Sequence, residues 1–463
     1  MPLSRTLSGL VAVLASAALV AGCSSSGGSA STSAPAGGGS SPRPLGTVVD
    51  WSTYHRANSR TGNVPGLGRP NELSAGWAQK LDGAVYAQPL VVGSTVVVAT
   101  ENNTVYGLDL ATGQTQWSRH VGTPVPLSAL PCGNIDPLGM TGTPAYDSAT
   151  GLVFVVAETT GAQHDLVALD VRHDGAVRFT RNLDVTNRDR KTEQQRAALA
   201  VANGKVYTAF GGLDGDCGNY VGYVTAVSTD GTGPIAHYEV PTAREGGIWA
   251  ASGPAVADNG DVYVAVGNGA SVGGPYDGSD SVLRLSGDLS RRLSYFAPTN
   301  WGAENAEDAD LGSTGPLLLP GGLAAVSGKN GMVYLLDATD LGGIGGELAS
   351  VGGCRGFGGL AYAGGALYVP CTSGLTRVDV TGHALTKRWQ ADSIPGTPVV
   401  GGGTVWALSP RDGTLFAVDA ATGKVLTRYR VGPTSRFASP VLSGGMVLVG
   451  TNAGVTAVAA SAG

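Results

Sequence analysis

Apolar and polar residues alternate in short runs along most of the chain, and glycine-rich turns separate the runs. The clearest run, Thr104 to Gly113 (TVYGLDLATG), returns as GTLFAVDAATG from Gly413 and as MVYLLDATDLG from Met332. Alternation of this kind predicts half-buried β-strands. No long stretch repeats apolar residues at the helical spacing, and the 73 glycines argue further against a mainly helical protein. The pattern therefore predicts an all-β fold.

Eight copies of this unit organise the chain after residue 45. The weaker copies are LVALDVRHDG from Leu166, YVTAVSTDG from Tyr223, SVLRLSGDLS from Ser281, GLTRVDVTG from Gly374 and GVTAVAASAG from Gly454. Successive copies are 40 to 61 residues apart, measured between the positions equivalent to Asp109. Repeats of this length with turn signals are typical of propeller blades of four antiparallel strands. We therefore predict an eight-bladed β-propeller that forms one domain over residues 46–463.

Each copy contains a turn signal and, in most cases, a large aromatic residue after it. The segment Asp-x-x-Thr-Gly predicts the turn between the third and fourth strands of a blade, because Asp bonds its own backbone and Gly allows a positive φ. The aromatic residues that follow are Trp117, Phe179, Tyr238, Tyr295, Trp389 and Tyr429. On an outer strand these rings would cover the seam between blades.

The last copy ends at Gly463 without a fourth strand. The segment Leu73 to Gly83 offers this strand and places Trp77 in the aromatic position. A ring closed by an N-terminal strand leaves no sheet edge exposed. We therefore predict that this segment completes the final blade.

The first residues of the chain have the features of an export signal. Arg5 precedes an apolar run from Leu7 to Val20, which is too short to span a bilayer comfortably. The sequence Val20-Ala21-Gly22-Cys23 resembles the lipobox of bacterial lipoproteins, and an ordinary signal peptide with a chance cysteine is the alternative. We predict a signal peptide at residues 1–22, a lipid on Cys23 and a flexible Gly/Ser/Pro linker over residues 23–45. The protein is then expected on the outer face of the cell membrane, anchored through this lipid.

Export also determines how the other cysteines are interpreted. Cys132, Cys217, Cys354 and Cys371 form an even set, which in an oxidising compartment favours two disulfide bonds. Of the three connectivities, we prefer Cys354–Cys371 and Cys132–Cys217. A metal site is the alternative, but there is no CxxC motif and no Cys/His cluster. A covalent c-type haem is excluded because the sequence contains no CxxCH.

Charge excludes one class of partner. Only 14% of the residues are charged, and the net charge is −6. Such a surface has no general basic character, so a nucleic-acid partner is not expected.

The LDxxTG repeats resemble the pyrroloquinoline-quinone (PQQ) type repeat. This repeat is found in quinoprotein alcohol dehydrogenases and in non-catalytic propeller lipoproteins such as the outer-membrane assembly factor. The segment Asp50-Trp51-Ser52-Thr53-Tyr54 is similar to the start of many such propellers. Four further stretches match the quinoprotein cofactor neighbourhood in the family's order: Gly246-Gly247-Ile248-Trp249, Gly267-Asn268-Gly269, Asp308-Ala309-Asp310-Leu311-Gly312-Ser313 and Ser327-Gly328-Lys329-Asn330-Gly331.

The resemblance implies a role for one residue in each stretch. Trp249 would stack on PQQ, Asn268 would bind Ca²⁺, Asp308 or Asp310 would accept the alcohol proton, and Lys329 would bond the quinone oxygens. Asp216 lines up near the family's second Ca²⁺ ligand. If these roles hold, the side chains should converge in one pocket on the channel axis.

Each of these residues also has a purely structural interpretation. Trp249 could pack at the inner end of a blade, and Asn268 could serve only as a turn residue. The acids between Glu304 and Asp310 could order a loop, and Lys329 could face water in a hairpin.

The sequence also departs from the quinoprotein pattern. The family's adjacent cysteine pair is missing, since Cys132 stands alone, and the arginine of the turn near Asp216 is Val221. Two functions therefore remain open. The first is a non-catalytic binding or scaffold module with a degenerate quinoprotein site. The second is a dehydrogenase dependent on PQQ and Ca²⁺ that oxidises alcohols or sugars. The sequence does not identify a protein or small-molecule partner.

Overall fold

A computed structural model of the protein describes residues 43–44, 46–186 and 188–462. The predicted signal peptide, Cys23 and most of the predicted linker lie outside the described residues. Within the described residues, no helix is long and apolar enough to cross a membrane.

The strands pair into eight antiparallel sheets, each with four principal strands, which confirms the predicted propeller. The four strands follow one another along the chain in blades 1 to 7, whereas in blade 8 the fourth comes from the N-terminal side. Blade 1 comprises Leu90–Val92, Thr95–Ala99, Thr104–Asp109 and Thr115–His120. Blade 2 comprises Ala145–Asp147, Leu152–Thr159, Gln163–Asp170 and Ala176–Asn182. Blade 3 comprises Ala200–Ala202, Lys205–Gly212, Tyr223–Ser228 and Ala236–Glu239. Blade 4 comprises Ala255–Val256, Val262–Val266, Ser281–Leu285 and Arg292–Ala297.

The second half of the ring repeats this arrangement. Blade 5 comprises Leu317–Leu319, Leu323–Ser327, Met332–Asp337 and Ala349–Gly352. Blade 6 comprises Ala361–Ala363, Ala366–Cys371, Gly374–Thr381 and Ala384–Asp392. Blade 7 comprises Val399–Gly401, Thr404–Ser409, Thr414–Asp419 and Val425–Arg430. Blade 8 comprises Val441–Ser443, Met446–Thr451, Gly454–Ala462 and, from the N-terminal side of the chain, Pro70–Lys80.

A few short elements lie beside the blades. The additional strands are Arg43–Pro44 on blade 8, Asn63–Val64 on blade 7, Glu193–Gln194 on blade 3 and Gly343–Ile344 on blade 4. The described residues contain one α-helix, Trp301–Glu307. The 3-10 helices are Tyr54–Arg56, Leu127–Ala129, Val171–His173, Arg190–Thr192 and Leu311–Ser313.

The hydrophobic core is divided among the seams between neighbouring blades. In the seam between blades 1 and 2, Val97 and Val105 pack in one buried cluster with Val153 and Val167. These residues alternate with others along their strands, because successive side chains of a strand point to opposite faces of the sheet. Each face of a blade therefore contributes to a different seam.

In blades 1 and 7 the Asp-x-x-Thr-Gly segment forms the predicted turn before the outer strand, whereas the copy at residues 147–151 joins the first and second strands of blade 2. In blade 1, Asp109 Oδ1 accepts hydrogen bonds from the backbone N–H groups of Ala111 (3.1 Å) and Thr112 (2.8 Å) and from Thr112 Oγ1 (2.8 Å). Asp419 does the same in blade 7. The turn ends at Gly113, whose φ of 72° favours glycine.

In four blades the aromatic residue of the outer strand packs on the turn glycine of the next blade. A Cβ atom on these glycines would lie 2.4–2.8 Å from ring atoms of the neighbour. The pairs are Trp77 with Gly113, Trp117 with Gly175, Phe179 with Gly231 and Trp389 with Gly423. Trp77 Nε1 also donates to Leu110 O at 2.9 Å. The contact of Trp77 joins blade 8 to blade 1.

The segment from Thr47 to Val64, here called the plug, crosses one end of the central channel. It hydrogen-bonds to the first strand, or to a residue adjacent to it, in every blade. The eight bonds span 2.7–3.1 Å and, in blade order, are Trp51 N to Val91 O, Tyr146 N to Ser52 O, Asn58 Nδ2 to Val201 O, Val256 N to Asn58 O, Leu318 N to Ser59 O, Tyr362 N to Thr61 O, Val400 N to Gly62 O and Gly444 N to Thr47 O. One segment therefore satisfies inner-edge backbone groups of all eight blades.

Arg60 fixes the plug to the ring. Its side chain is 1% exposed and donates to Pro254 O from Nε (3.0 Å) and Nη2 (2.7 Å) and to Leu199 O from Nη2 (3.1 Å). Its Nη1 donates to Thr53 Oγ1 and to Tyr54 O at 2.7 and 3.1 Å. The buried guanidinium thus uses oxygens of blades 3 and 4 and of the plug itself as its partners.

A matched pair of glycine variants tests the contact at the seam between blades 8 and 1. Gly113 and Gly204 have φ of 72° and 70°, but a Cβ would lie 2.4 Å from the Trp77 ring at Gly113 and would meet nothing within 4 Å at Gly204. Gly204→Ala should lower the free energy of unfolding by about 1 kcal/mol, through backbone strain alone. Gly113→Ala should lower it by about 2–4 kcal/mol, because the new methyl group also overpacks the seam. Equal losses in urea denaturation would contradict this account.

Candidate functional site

A cavity of about 630 Å³ lies in the central channel beside the plug. A void of about 10 Å³ is lined by Tyr54 of the plug and by Tyr86, Arg196 and Phe437, which also line the cavity. The plug therefore closes the channel below the cavity. The volume falls within the range of small-molecule pockets in proteins.

The structure brings all six sequence-predicted site residues to this cavity. Asp216, Trp249, Asn268, Asp308, Asp310 and Lys329 all line it. They come from blades 3, 4 and 5, and Asn268 and Lys329 each lie two residues beyond the second strand of a blade. The expected convergence in one pocket is therefore observed, whereas the individual roles remain hypotheses.

Glycines allow the backbone to pack closely around Trp249. A Cβ on Gly211 would lie 3.0 Å from Trp249 Cβ, and a Cβ on Gly267 would lie 3.1 Å from Trp249 Nε1 and 3.0 Å from Asp310 Oδ1. Trp249 thus lies near Asp310 at the wall of the cavity. Its ring centroid is 6.5 Å from that of Phe357 and 6.3 Å from that of Phe437. The three rings form an aromatic corner.

Lys329 forms ion pairs with both predicted catalytic acids, Asp308 and Asp310. Its Nζ lies 2.7 Å from Asp308 Oδ1 and 2.7 Å from Asp310 Oδ2, and 5.4 Å from the centre of the Trp249 ring. The Asp308 side chain is 64% exposed and that of Asp310 is 1% exposed. The lysine therefore joins an exposed acid to a buried one beside the aromatic corner.

Burial and the ion pair act in opposite directions on Asp310. Burial raises the pKa of Asp310 to about 6, against the opposing effect of Lys329. Burial alone would lower the pKa of Lys329, but the two carboxylates outweigh it and raise that pKa. At neutral pH Lys329 and Asp310 therefore form an ammonium–carboxylate pair. Asp310 Oδ1 is buried and has no hydrogen-bond partner among the described residues.

The acidic stretch from Glu304 to Asp310 does not act as one cluster. Glu304 lies in the helix Trp301–Glu307 and accepts a hydrogen bond from Asn330 Nδ2 at 2.9 Å. Asp308 follows the helix with a φ of 50° and reaches the cavity. Glu304 thus bonds to Asn330 and Asp308 to Lys329, a difference that the sequence alone does not reveal.

The disulfide Cys132–Cys217 ties down the loop that carries Asp216. Both bonds preferred from the sequence, Cys132–Cys217 and Cys354–Cys371, are present. Asp216 Oδ1 accepts from Tyr220 OH at 2.6 Å, and Arg244 Nη2 donates to Asp216 O at 2.7 Å. Asp216 is therefore fixed at the rim by covalent and polar contacts.

Sequence reasoning missed several residues of the cavity. Tyr86, Arg196, Phe357 and Phe437 line it, together with Arg436. The first four each lie four residues before the first strand of their blade, which begins at Leu90, Ala200, Ala361 and Val441 respectively. The sequence signal for these residues is therefore their fixed position, four residues before the first strand of a blade. This position lies outside the repeat motif.

The lining of the cavity combines three cations with four aspartates, Asp214, Asp216, Asp308 and Asp310. Trp249 offers a planar surface, and Arg196, Lys329 and Arg436 bring positive charge to the same cavity. Asn268 and Asp216 supply oxygen atoms, but Lys329 already contacts both Asp308 and Asp310. In the described part of the chain, no three His, Cys, Asp or Glu side chains are grouped as a metal site.

Comparisons with known proteins agree with this fold. The profile of the family described as outer membrane protein assembly factor BamB matches residues 74–209 and 358–463, just over half of the chain. No curated protein matches significantly.

Similar solved structures include both dehydrogenases and a BamB protein. A europium-containing methanol dehydrogenase is 17% identical, with a TM-score of 0.68 over 88% of this chain and 90% of that chain. The quinohemoprotein alcohol dehydrogenase from Comamonas testosteroni is 17% identical, with a TM-score of 0.66 over 89% and 80%. BamB from Moraxella catarrhalis is 13% identical, with a TM-score of 0.59 over 84% and 99%. At these identities the likeness shows the fold alone.

Proposed function

The chain belongs to the family described as outer membrane protein assembly factor BamB, and from this premise we propose that it is an exported, lipid-anchored binding module. Its ligand would be a small planar anion held in the central cavity and left chemically unchanged. The observation that carries this proposal is the convergence of aromatic rings with Arg196 and Arg436 on one cavity of about 630 Å³. Four aspartates also line the cavity, but Lys329 is paired with two of them, Asp308 and Asp310. Such a combination of a planar apolar surface and fixed charges suits a conjugated carboxylate.

The state of the acids supports binding without oxidation. Lys329 lies 2.7 Å from one oxygen of Asp308 and from one oxygen of Asp310, so each acid that would act on a substrate already has a cationic partner. The single cysteine at the place of the family's cysteine pair, Cys132, is bonded to Cys217. Cys132 therefore cannot take part in the adjacent cysteine pair that the resemblance leads one to expect.

A quinoprotein dehydrogenase is the second candidate. The free oxygen of Asp310 favours it, because a carboxylate with a pKa of about 6 is able to accept a proton at neutral pH. PQQ, when bound, would accept hydride from an alcohol or sugar. Asn268 and Asp216 would offer oxygens to Ca²⁺, Trp249 would support the ring and Lys329 would donate to its oxygens.

Export and anchoring rest on the N-terminal sequence and on the two disulfides. The lipobox-like Val20-Ala21-Gly22-Cys23 and the linker would place the propeller outside the membrane on a lipid tether. Cys132–Cys217 and Cys354–Cys371 suit an oxidising compartment.

A cell-fractionation experiment tests the anchor. Wild-type protein should sediment with membranes and partition into detergent. Cys23→Ser should move it to the soluble extracytoplasmic fraction, because the lipid cannot be attached. Ser31→Ala is the matched control, since it changes one residue of the predicted linker and leaves Cys23 in place. Membrane association of Cys23→Ser equal to that of wild type would overturn the lipid anchor.

Calorimetry with PQQ tests the binding function. The full chain should bind PQQ with a micromolar or lower Kd, and Trp249→Ala should weaken binding at least about tenfold by removing the stacking surface. Trp301→Ala is the control, because Trp301 packs on Tyr276 outside the cavity. No binding by the wild-type chain would overturn the proposal.

The same preparation separates the two candidates. With PQQ and Ca²⁺ present, we expect no dye reduction above background over a panel of alcohols and sugars. Dye reduction that requires both additions and is lost in Asp310→Asn would overturn the non-catalytic proposal in favour of the dehydrogenase.

A further inference from the structure

Two arginines of the cavity belong to no repeat motif and to no stretch that resembles the quinoprotein site. Arg196 precedes the first strand of blade 3, and Arg436 precedes that of blade 8. Both line the cavity, on the side of Phe437. Within the described residues neither has a carboxylate within 4.0 Å, whereas Lys329 has two.

Aromatic rings hold both guanidinium groups at the cavity. Arg196 lies 5.3 Å and Arg436 lies 5.5 Å from the centre of the same ring, Phe437. Arg436 also lies 4.3 Å from the centre of the Phe357 ring. Contact between a guanidinium and a ring face fixes the cation and leaves its N–H edge available for an anion. Phe437 thus brings two positive charges together.

The donors of these arginines are largely unused. A guanidinium carries five N–H donors. In the described part of the chain, the side chain of Arg196 makes one hydrogen bond, from Nη2 to Gln194 Oε1 at 3.0 Å. A desolvated cation with free donors that borders a cavity is a ready partner for a carboxylate, and Arg groups bind carboxylates with two parallel hydrogen bonds.

The distribution of charge in the cavity indicates which way a ligand would lie. Asp216, Asp308 and Asp310 border it together with Trp249 and Lys329, and they would repel a second carboxylate. Asp214 also lines the cavity and acts on Arg196, but it forms no ion pair with that arginine. The two arginines are joined to Trp249 through the aromatic corner, since Phe357 and Phe437 lie 6.5 and 6.3 Å from it. A planar ligand against Trp249 would therefore direct its carboxylates toward Arg196 and Arg436.

We propose that Arg196 and Arg436 form a two-arginine clamp that binds the carboxylates of a planar aromatic ligand in the central cavity. This inference rests on the proposed binding function and specifies the ligand as an aromatic di- or tricarboxylate. The clamp supplies the charge that is missing at Val221, where the resemblance leads one to expect an arginine. Arg196 belongs to blade 3 and Arg436 to blade 8, and both line the same cavity.

Calorimetry with two probes, PQQ and its trimethyl ester, tests the clamp. Arg196→Gln and Arg436→Gln should each raise the Kd for PQQ at least about tenfold, because each removes a charged hydrogen-bonding partner. The affinity of wild type for PQQ should also fall as salt is added. Arg430→Gln is the matched control, because Arg430 is exposed on the outer strand of blade 7. It should leave the Kd unchanged.

The ester separates a charge effect from a loss of shape. It keeps the ring system but carries no carboxylate, so wild type, Arg196→Gln and Arg436→Gln should bind it alike. Arg436 is exposed, so Arg436→Gln is expected to fold even if Arg196→Gln does not. Unchanged PQQ affinity in Arg436→Gln would overturn the clamp while leaving the proposed binding function intact. Absence of PQQ binding by wild type would overturn both.

Discussion

The arrangement depends on how the eight inner strand edges are satisfied. A ring of blades leaves the first strand of each sheet with backbone N–H and C=O groups that face the channel and have no further strand to pair with. The plug from Thr47 to Val64 supplies partners to all eight blades within 18 residues. Arg60 joins it to blades 3 and 4 through carbonyl oxygens. The plug thereby closes one end of the central channel.

The residues that line the cavity differ from blade to blade, because the repeat motif lies elsewhere in the blade. The repeat motif forms turns and seams at the outside of the ring, where every blade has the same task. The positions just before the first strands face the cavity, and there the blades carry Tyr86, Arg196, Phe357 and Phe437. Regular packing outside thus leaves the interior free to vary, which is consistent with the presence of this fold in both dehydrogenases and a BamB protein.

The sequence predicts the regular part of the structure well, for a physical reason. Turn chemistry at Asp109 and Gly113 and the ring of Trp117 are local, so eight copies could be counted and their outer strands identified. The quinoprotein-like stretches were also sufficient to select Trp249, Asn268 and Lys329, which lie at the cavity. The plug was not predictable, because its hydrogen bonds join residues far apart in sequence and use the backbone. The cavity arginines were missed because they lie just before the first strands, and the sequence repeats do not show where those strands begin.

The central claim is that the plug organises the ring, and hydrogen exchange of Arg60→Met tests it most directly. Arg119→Met, on an exposed outer strand, serves as the control. If the plug acts as one unit, exchange should accelerate at Val256, Leu318, Tyr362 and Val400, whose amides donate to it. Stability should fall by about 3 kcal/mol, because buried carbonyls lose their donor. Unchanged exchange at Leu318, Tyr362 and Val400 with unchanged stability would contradict the account.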